Sequence, residues 1–185
     1  MAGVEPGAGV LLVAAANLLD PNFSRTIVLM CDHGAEGSFG LVLNRQLPLT
    51  IQDILAEDPG WTAPLLRGGP VQENTLHFIH RCPNLDISSQ EIVPGIYWGG
   101  SFEKASEALR EGQAKIEDFR FFVGYSGWGS GQLAGEIAQD SWYLRYAITD
   151  LVFDDDPENQ WRRVLASMGT DYRILANFPD DPRLN

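Results

Sequence analysis

The feature of this sequence that most constrains its fold is a succession of short apolar runs near the beginning of the chain. Residues 10–16 (VLLVAAA) and 26–31 (TIVLMC) contain no charged side chain, and residues 37–44 (GSFGLVLN) continue the pattern. Short runs rich in Val, Leu and Ile are typical of buried strands, whereas a helix needs a longer amphipathic pattern. The sequence therefore predicts three successive strands, the second and third joined as a hairpin through a turn at Gly34.

Helix signals are strongest later in the chain. Ser101 is placed to cap a helix that runs to about residue 111, and Asp156 to cap one that begins at Pro157 and ends at Gly169. Thr50 and Asp53 resemble a capping box for a short helix that ends before Pro59. The remaining predicted elements are strands at 75–80, 92–98, 119–125 and 142–148, and a helix at 132–139.

This order of elements predicts an α+β fold, because strands come first and helices do not alternate with them regularly. The chain has 185 residues, a length typical of one domain. We expect a flexible leader at residues 1–9 and a single compact domain at residues 10–185.

The charge of the chain bears on its partners. It carries 13 Lys and Arg against 25 Asp and Glu, a net charge of −12, and each third of the sequence is acidic. Proteins that bind nucleic acid neutralise phosphates with a basic surface, so this balance disfavours direct contact with DNA or RNA.

The first apolar run also bears on localisation. A secretory signal requires a positively charged leader, but no Lys or Arg precedes residues 10–16. No apolar run approaches the 18 residues that a membrane-spanning helix needs. We therefore expect a cytoplasmic protein without membrane contact.

The glycine-rich segment 124–131 (GYSGWGSG) is the most distinctive pattern. A strand-to-helix turn around Ser126 resembles an esterase nucleophile elbow, but Trp128 stands where that motif has glycine, which favours a structural serine. Glycine amides at a helix start could hold an anion, but no lysine follows as in a phosphate-binding loop, so a structural turn at 127–131 is favoured here too. Within this turn, we expect Trp128 to be exposed as a contact residue.

The histidines and cysteines do not form a metal-binding pattern. His77 and His80 are three residues apart on a predicted strand, which places them on opposite faces, and His33 lies elsewhere. Cys31 and Cys82 adjoin apolar strand residues and are expected to be buried and reduced. We predict neither a metal nor a cofactor.

The sequence resembles the YqgE/AlgH family along nearly its whole length. The resemblance rests on five ordered blocks, which are LLDPNFSRTIVLMCDHGAEGSFGLVLNR (18–45), RGGPV (67–71), residues 76–80, GYSGWGSGQLAGEI (124–137) with Trp142, and the ending with Asp181, Pro182 and Asn185. The chain departs from the family pattern at Gln46, where members usually have proline, and at Ser126, where they usually have alanine. Glu136 is the one carboxylate of the glycine-rich motif that this chain shares.

The resemblance implies a cytosolic bacterial protein whose curved, largely antiparallel sheet is flanked by helices. Some members are described as transcriptional regulators, but the family has no established reaction, ligand or catalytic residue. Our leading hypothesis is a non-enzymatic binding or regulatory module that acts through a protein partner or a small ligand. The residues predicted to bind it are Gly127, Trp128, Gly129, Gln132, Glu136, His33 and Asn44.

Two alternatives remain open from the sequence. The first is a hydrolase that uses Ser126 as nucleophile and His33 or His80 as base. The second is a regulator that binds DNA directly, which would require a basic face.

Overall fold

A ten-stranded sheet flanked by five helices makes up the described part of the chain, residues 3–179 of a computed structural model. The strands are β1 (Val10–Ala14), β2 (Ile27–Gly34), β3 (Gly37–Val42), β4 (Gln46–Thr50), β5 (Pro64–Arg67), β6 (Val71–His80), β7 (Gln90–Val93), β8 (Ile96–Trp98), β9 (Phe119–Gly129) and β10 (Trp142–Tyr146). The helices are α1 (Phe102–Arg110), α2 (Gln132–Ala138), α3 (Thr149–Val152), α4 (Pro157–Ala166) and α5 (Thr170–Ala176). Short 3₁₀ turns occupy Ile51–Asp53 and Ile116–Asp118.

The sheet is curved and largely antiparallel, which confirms the predicted α+β class. Its main strand order is β10-β1-β2-β3-β9-β6-β8-β7, and every neighbouring pair in this series is antiparallel. Strand β5 pairs in parallel with β9, and β4 pairs with β5. The long strand β9 therefore joins the two halves of the sheet.

The core consists of two clusters of buried side chains. The larger cluster contains the buried apolar residues of β1 and β2 together with Trp161, Val164 and Leu165 of α4. The smaller one lies around Phe121 of β9 and Ala105 of α1. The indole Nε1 of Trp161 donates a hydrogen bond to the Ala14 carbonyl oxygen at 2.9 Å, which fixes α4 against β1.

The predicted helix caps are confirmed. The Ser101 hydroxyl accepts from the Lys104 amide and the Asp156 carboxylate from the Asn159 amide, both at 3.3 Å. The Thr50 amide donates to Asp53 Oδ2 at 2.7 Å, but only the 3₁₀ turn follows, not the predicted helix. These caps satisfy amide groups that have no partner within the first helical turn.

Several predicted boundaries are wrong. The strand expected at 92–98 is a hairpin, β7 and β8, that turns at Gly95, where φ is +81°. The predicted end of α4 at Gly169 is also wrong, because α4 ends at Ala166 and Gly169 is the N-cap of α5. The strands β4 and β5 were not predicted, because both are short and contain proline, Pro48 in the middle of β4 and Pro64 at the start of β5.

The glycine-rich turn predicted at 127–131 is also wrong, because β9 continues through Gly129 before the chain turns. Gly37 pairs with Gly129 and Ser38 with Trp128 across β3 and β9. A Cβ atom on Gly37 would lie 2.5 Å from the Trp128 carbonyl oxygen, so glycine permits this close approach. The leader at 1–9 stays a prediction, although Gly9 is hydrogen-bonded to Met30.

Candidate functional site

The carboxylate of the glycine-rich motif, Glu136, accepts hydrogen bonds from two tryptophans. Its Oε2 accepts hydrogen bonds from Nε1 of Trp128 at 2.9 Å and from Nε1 of Trp142 at 2.8 Å. Gln132 Nε2 donates to the other oxygen, Oε1, at 3.1 Å, and the Gly129 amide donates to Gln132 Oε1 at 3.0 Å. We call Glu136, Trp128 and Trp142 the tryptophan clamp, which ties β9, α2 and β10 to one another.

Trp128 is not the exposed contact residue that the sequence predicted. Only 4% of it is exposed, and its ring stacks on Phe23 with centroids 6.0 Å apart. The reason is that Trp128 lies on a strand, where successive side chains face opposite sides, so Trp128 is buried while Gly127 and Gly129 are exposed. Its role is therefore in packing.

Two other predicted site residues lie apart from each other. His33 is exposed at the end of β2, with Nδ1 2.6 Å from the Ser38 hydroxyl, on the strand that pairs with Trp128. Asn44 is buried, where its Oδ1 accepts from the Ile27 amide at 3.0 Å and its Nδ2 donates to the Arg25 carbonyl oxygen at 2.8 Å. Asn44 thus belongs to a different region from the tryptophan clamp.

The exposed residues beside the clamp are Gly127, Gly129, Gln132 and His33. Contact between these residues and a partner stays a prediction. The buried members of the predicted site, Trp128 and Asn44, have structural hydrogen bonds that account for them.

Ser126 does not have the surroundings of a nucleophile. It is fully buried, and its hydroxyl donates to the Gly68 carbonyl oxygen at 3.0 Å. Within residues 3–179, both candidate bases have other partners: His33 contacts Ser38, and His80 Nε2 lies 2.8 Å from the Ser89 hydroxyl. A nucleophilic serine needs a base within hydrogen-bond distance, so the geometry does not support the hydrolase alternative.

His77, His80 and Cys31 pack against neighbouring side chains of the core or lie buried within it. His80 is buried between Tyr97 and Phe119, and burial lowers its pKa to about 4. His77 contacts Phe39 and Tyr125 instead, as expected for opposite faces. Cys31 is buried as predicted, whereas Cys82 is half-buried, and both are free thiols.

The described residues, 3–179, contain neither a metal-binding cluster nor a membrane-spanning helix. No group of three or more His, Cys, Asp or Glu side chains there is arranged to hold a metal ion. No helix in that part of the chain is long and apolar enough to cross a bilayer.

A second candidate site, which the sequence did not predict, is an open cavity of about 840 Å³ between the end of β3, strand β4 and helix α4. We call it the arginine cavity, since Arg25, Arg45 and Arg162 all line it; among residues 3–179, Glu158 is the one acidic residue that lines it. The other lining residues are Asn44, Gln46, Leu47, Pro48, Pro157, Asn159 and Trp161. Three cations around one cavity contrast with the net charge of −12 for the chain.

Two of these arginines are held by the C-terminal part of the fold. The Arg25 guanidinium lies 4.6 Å from the centroid of the Trp161 ring, and its Nη2 donates to the Phe178 carbonyl oxygen at 2.7 Å. Arg162 Nη1 donates to the Ala176 carbonyl oxygen at 2.7 Å. Stacking and hydrogen bonds of this kind fix the direction of a guanidinium before any ligand arrives.

Arg45 is the third cation. It is half-buried, and its Nη2 donates to the Ser24 carbonyl oxygen. Burial, together with the positive charge of Arg67, lowers the pKa of Arg45. Arg67 forms an ion pair with Glu73, but no carboxylate within residues 3–179 pairs with Arg45. The cavity thus contains a half-buried positive charge that these residues do not neutralise.

Comparison with known proteins decides the family. The AlgH-like family model matches residues 11–173 of the chain. The chain belongs to the AlgH-like family. The resemblance read from the sequence is therefore confirmed, although its terminal block at Asp181, Pro182 and Asn185 lies outside the described residues.

AlgH-like relatives match the chain from end to end. A "UPF0301 protein" of Chlorobium luteolum is 43% identical over 178 residues, which cover 96% of this chain and 94% of the relative. A "UPF0301 protein" of Cytophaga hutchinsonii is 40% identical over 178 residues, covering 96% and 98%. These names state no ligand or reaction, so membership shows a family of uncharacterised proteins.

Two solved structures match the chain as well. The solution structure of AlgH from Pseudomonas aeruginosa aligns with a TM-score of 0.73 and 25% identity, covering 97% of this chain and 98% of that one. A crystal structure of a Corynebacterium diphtheriae protein aligns with a TM-score of 0.82 and 22% identity, covering 96% and 95%. The likeness shows that the chain shares its overall fold with these two proteins.

Proposed function

We propose that the protein is a non-enzymatic binding module that captures a small anionic ligand, a carboxylate or a phosphate ester, in the arginine cavity. The observation that carries the proposal is the half-buried Arg45, without a described carboxylate partner, beside the oriented guanidinium groups of Arg25 and Arg162. Arginine suits this task because its planar donors match the oxygens of carboxylates and phosphates.

Size and charge support a small ligand. The cavity volume of about 840 Å³ lies within the range typical of small-molecule sites. The net charge of −12 disfavours a polyanion such as DNA, because long-range repulsion acts on every phosphate outside the cavity. A regulatory role, as some relatives are described to have, would then depend on ligand occupancy and on a protein partner.

The test is a thermal-shift and calorimetric screen at low salt with inorganic phosphate, acetate, citrate and phosphorylated sugars. A ligand at 100 times its dissociation constant adds about 2.7 kcal/mol to the stability of the folded state. That gain corresponds to a rise in Tm of roughly 5–11 °C for a chain of this size.

Variants locate the binding site. Arg45→Gln is expected to weaken binding at least tenfold, because a charged hydrogen bond contributes about 1.5–3 kcal/mol. Arg110→Gln, at an exposed arginine outside the cavity, is the matched control and should leave affinity unchanged. Absence of binding by every anion, or equal binding by wild type and Arg45→Gln, would reject the proposal.

A further inference from the structure

Two smaller cavities adjoin the arginine cavity along β4. One, of about 210 Å³, lies toward the start of β9, and the other, of about 400 Å³, lies between β4 and the residues before β5. Gln46 lines all three, and Leu47 and Pro48 line both the arginine cavity and the 400 Å³ cavity. The three spaces therefore adjoin one another along β4, and we refer to them together as the groove.

The two smaller cavities are lined mainly by apolar groups. The buried side chains of Leu43, Leu66 and Phe119 line the 210 Å³ cavity. Leu47, Leu49 and Pro64 line the 400 Å³ cavity, and Leu49 is 44% exposed to solvent. Exposed apolar surface next to buried apolar side chains favours contact with an apolar group.

The charged groups at the rim of the 210 Å³ cavity are already neutralised. Arg120 Nη2 lies 2.7 Å from Asp155 Oδ1, and Arg163 Nη2 lies 2.6 Å from Asp154 Oδ1. Glu117 is a further carboxylate among the lining residues, so an anion is not favoured at this end. The groove therefore has a polarity, with positive charge at the Arg45 end and apolar walls elsewhere.

The edge of β4 does not suit an added peptide strand. Within residues 3–179, β4 pairs with β5 alone, so its other edge has no strand partner there. Pro48 at its centre has no amide hydrogen to donate to a new strand. A ligand held by apolar contact fits this edge better than a peptide held by backbone hydrogen bonds.

We propose that the groove binds an amphipathic anion, a carboxylate head group joined to an unbranched hydrocarbon chain. The head group contacts Arg45, and the chain lies along Leu47 and Leu49 on β4. This inference rests on the proposed anion site and extends it by specifying the ligand class. Two observations carry it: the positive charge of Arg45 at one end of the groove, and the adjoining apolar walls at the other.

The experiment is a calorimetric titration of the full chain with the series acetate, butanoate, hexanoate, octanoate and decanoate, each kept below its aggregation concentration. Affinity is expected to increase about fourfold for each added methylene until the groove is filled, the factor for burying one such group. Octylamine, which has the same chain and the opposite charge, is expected not to bind.

Two variants separate the two ends of the groove. Arg45→Gln should weaken every member of the series by a similar factor, whereas Leu49→Ser should reduce only the gain from the longer chains. Leu19→Ser, at an exposed leucine outside the groove, is the matched control and should behave as wild type.

The outcomes distinguish this inference from the proposed function. Binding of phosphate and acetate with no dependence on chain length would overturn the amphipathic ligand and leave the anion site intact. Chain-length dependence that octylamine reproduces would overturn the role of Arg45. Absence of binding throughout would overturn both.

Discussion

Replacement of Glu136 by leucine tests the tryptophan clamp most directly. Leucine fills much of the space of glutamate but cannot accept a hydrogen bond, so the indole groups of Trp128 and Trp142 would lose their common acceptor. Both indoles are almost fully buried. A buried donor without a partner costs about 1–3 kcal/mol, because it has lost its hydrogen bonds to water as well.

Two such donors would cost about 2–6 kcal/mol if water could not reach them. Glu136 itself is half-buried, so solvent can replace part of the lost interaction. We therefore expect a loss of about 2–3 kcal/mol in the free energy of unfolding, or roughly 4–12 °C in Tm. Glu136→Gln retains one acceptor oxygen and should lose about half as much.

The assay is urea denaturation followed by far-ultraviolet circular dichroism, since tryptophan fluorescence would respond to the substitution itself. Glu107→Leu, at an exposed glutamate of α1, is the matched control and should change stability by less than about 0.5 kcal/mol. If Glu136→Leu proves no more destabilising than this control, the clamp has no structural role. A double-mutant cycle with Trp142→Phe should give a coupling energy of at least about 0.5 kcal/mol.

Three further predictions follow from burial. Trp128→Ala should lower the free energy of unfolding by about 3–5 kcal/mol in urea denaturation, and a loss below about 1 kcal/mol would contradict its place in the core. Ser126→Ala should lower the free energy of unfolding by about 1 kcal/mol, because the hydrogen bond to Gly68 is lost. A fluorophosphonate probe should leave the wild-type protein unlabelled, and labelling at Ser126 would support the hydrolase alternative instead. Burial lowers the pKa of His80 from 6.5 to about 4, so the unfolded chain binds a proton at a higher pH than the folded chain does. The free energy of unfolding should therefore fall by up to about 3 kcal/mol as the pH is lowered from 6.5 to about 4. His80→Phe should show a flatter dependence of stability on pH.

The central elements could be predicted because their sequences have one interpretation. The apolar runs of β1 and β2 have no hydrophilic face, so they fit the centre of a sheet covered on both sides. The caps at Ser101 and Asp156 place a hydrogen-bond acceptor at a helix start, a local requirement that does not depend on the rest of the fold.

Glycine was the main source of error. Gly127 and Gly129 were interpreted as turn residues, but they lie on β9, where they pair with Phe39 and Gly37 of β3. The same local pattern fits a turn and a paired strand, and only the pairing partner distinguishes them. The error over Trp128 followed, because a residue in a turn is expected to be exposed and a residue on a strand alternates between faces.

The arginine cavity could not have been found from local sequence. Arg25 precedes β2, Arg45 follows β3 and Arg162 lies on α4, so no short segment contains more than one of them. Charges counted along the sequence give a negative sum for every region. Such a count cannot show a cluster of cations that forms only when distant segments come together in the fold. The one nearby signal was Asn44 beside Arg45, within the first block of the family resemblance.

The pairing of β1 with β10 has a consequence for synthesis of the protein. Val10 pairs with Tyr146 and Ala14 with Trp142. Strand β1 is therefore synthesised long before its partner β10, and this side of the sheet can form only after β10 has been synthesised. Contacts so distant in sequence slow folding, and all five residues of β1 are apolar and fully buried in the native state. A nascent or truncated chain that ends before β10 therefore exposes the unpaired apolar edge of β1. We expect such fragments to aggregate readily and to be bound by chaperones or degraded by proteases.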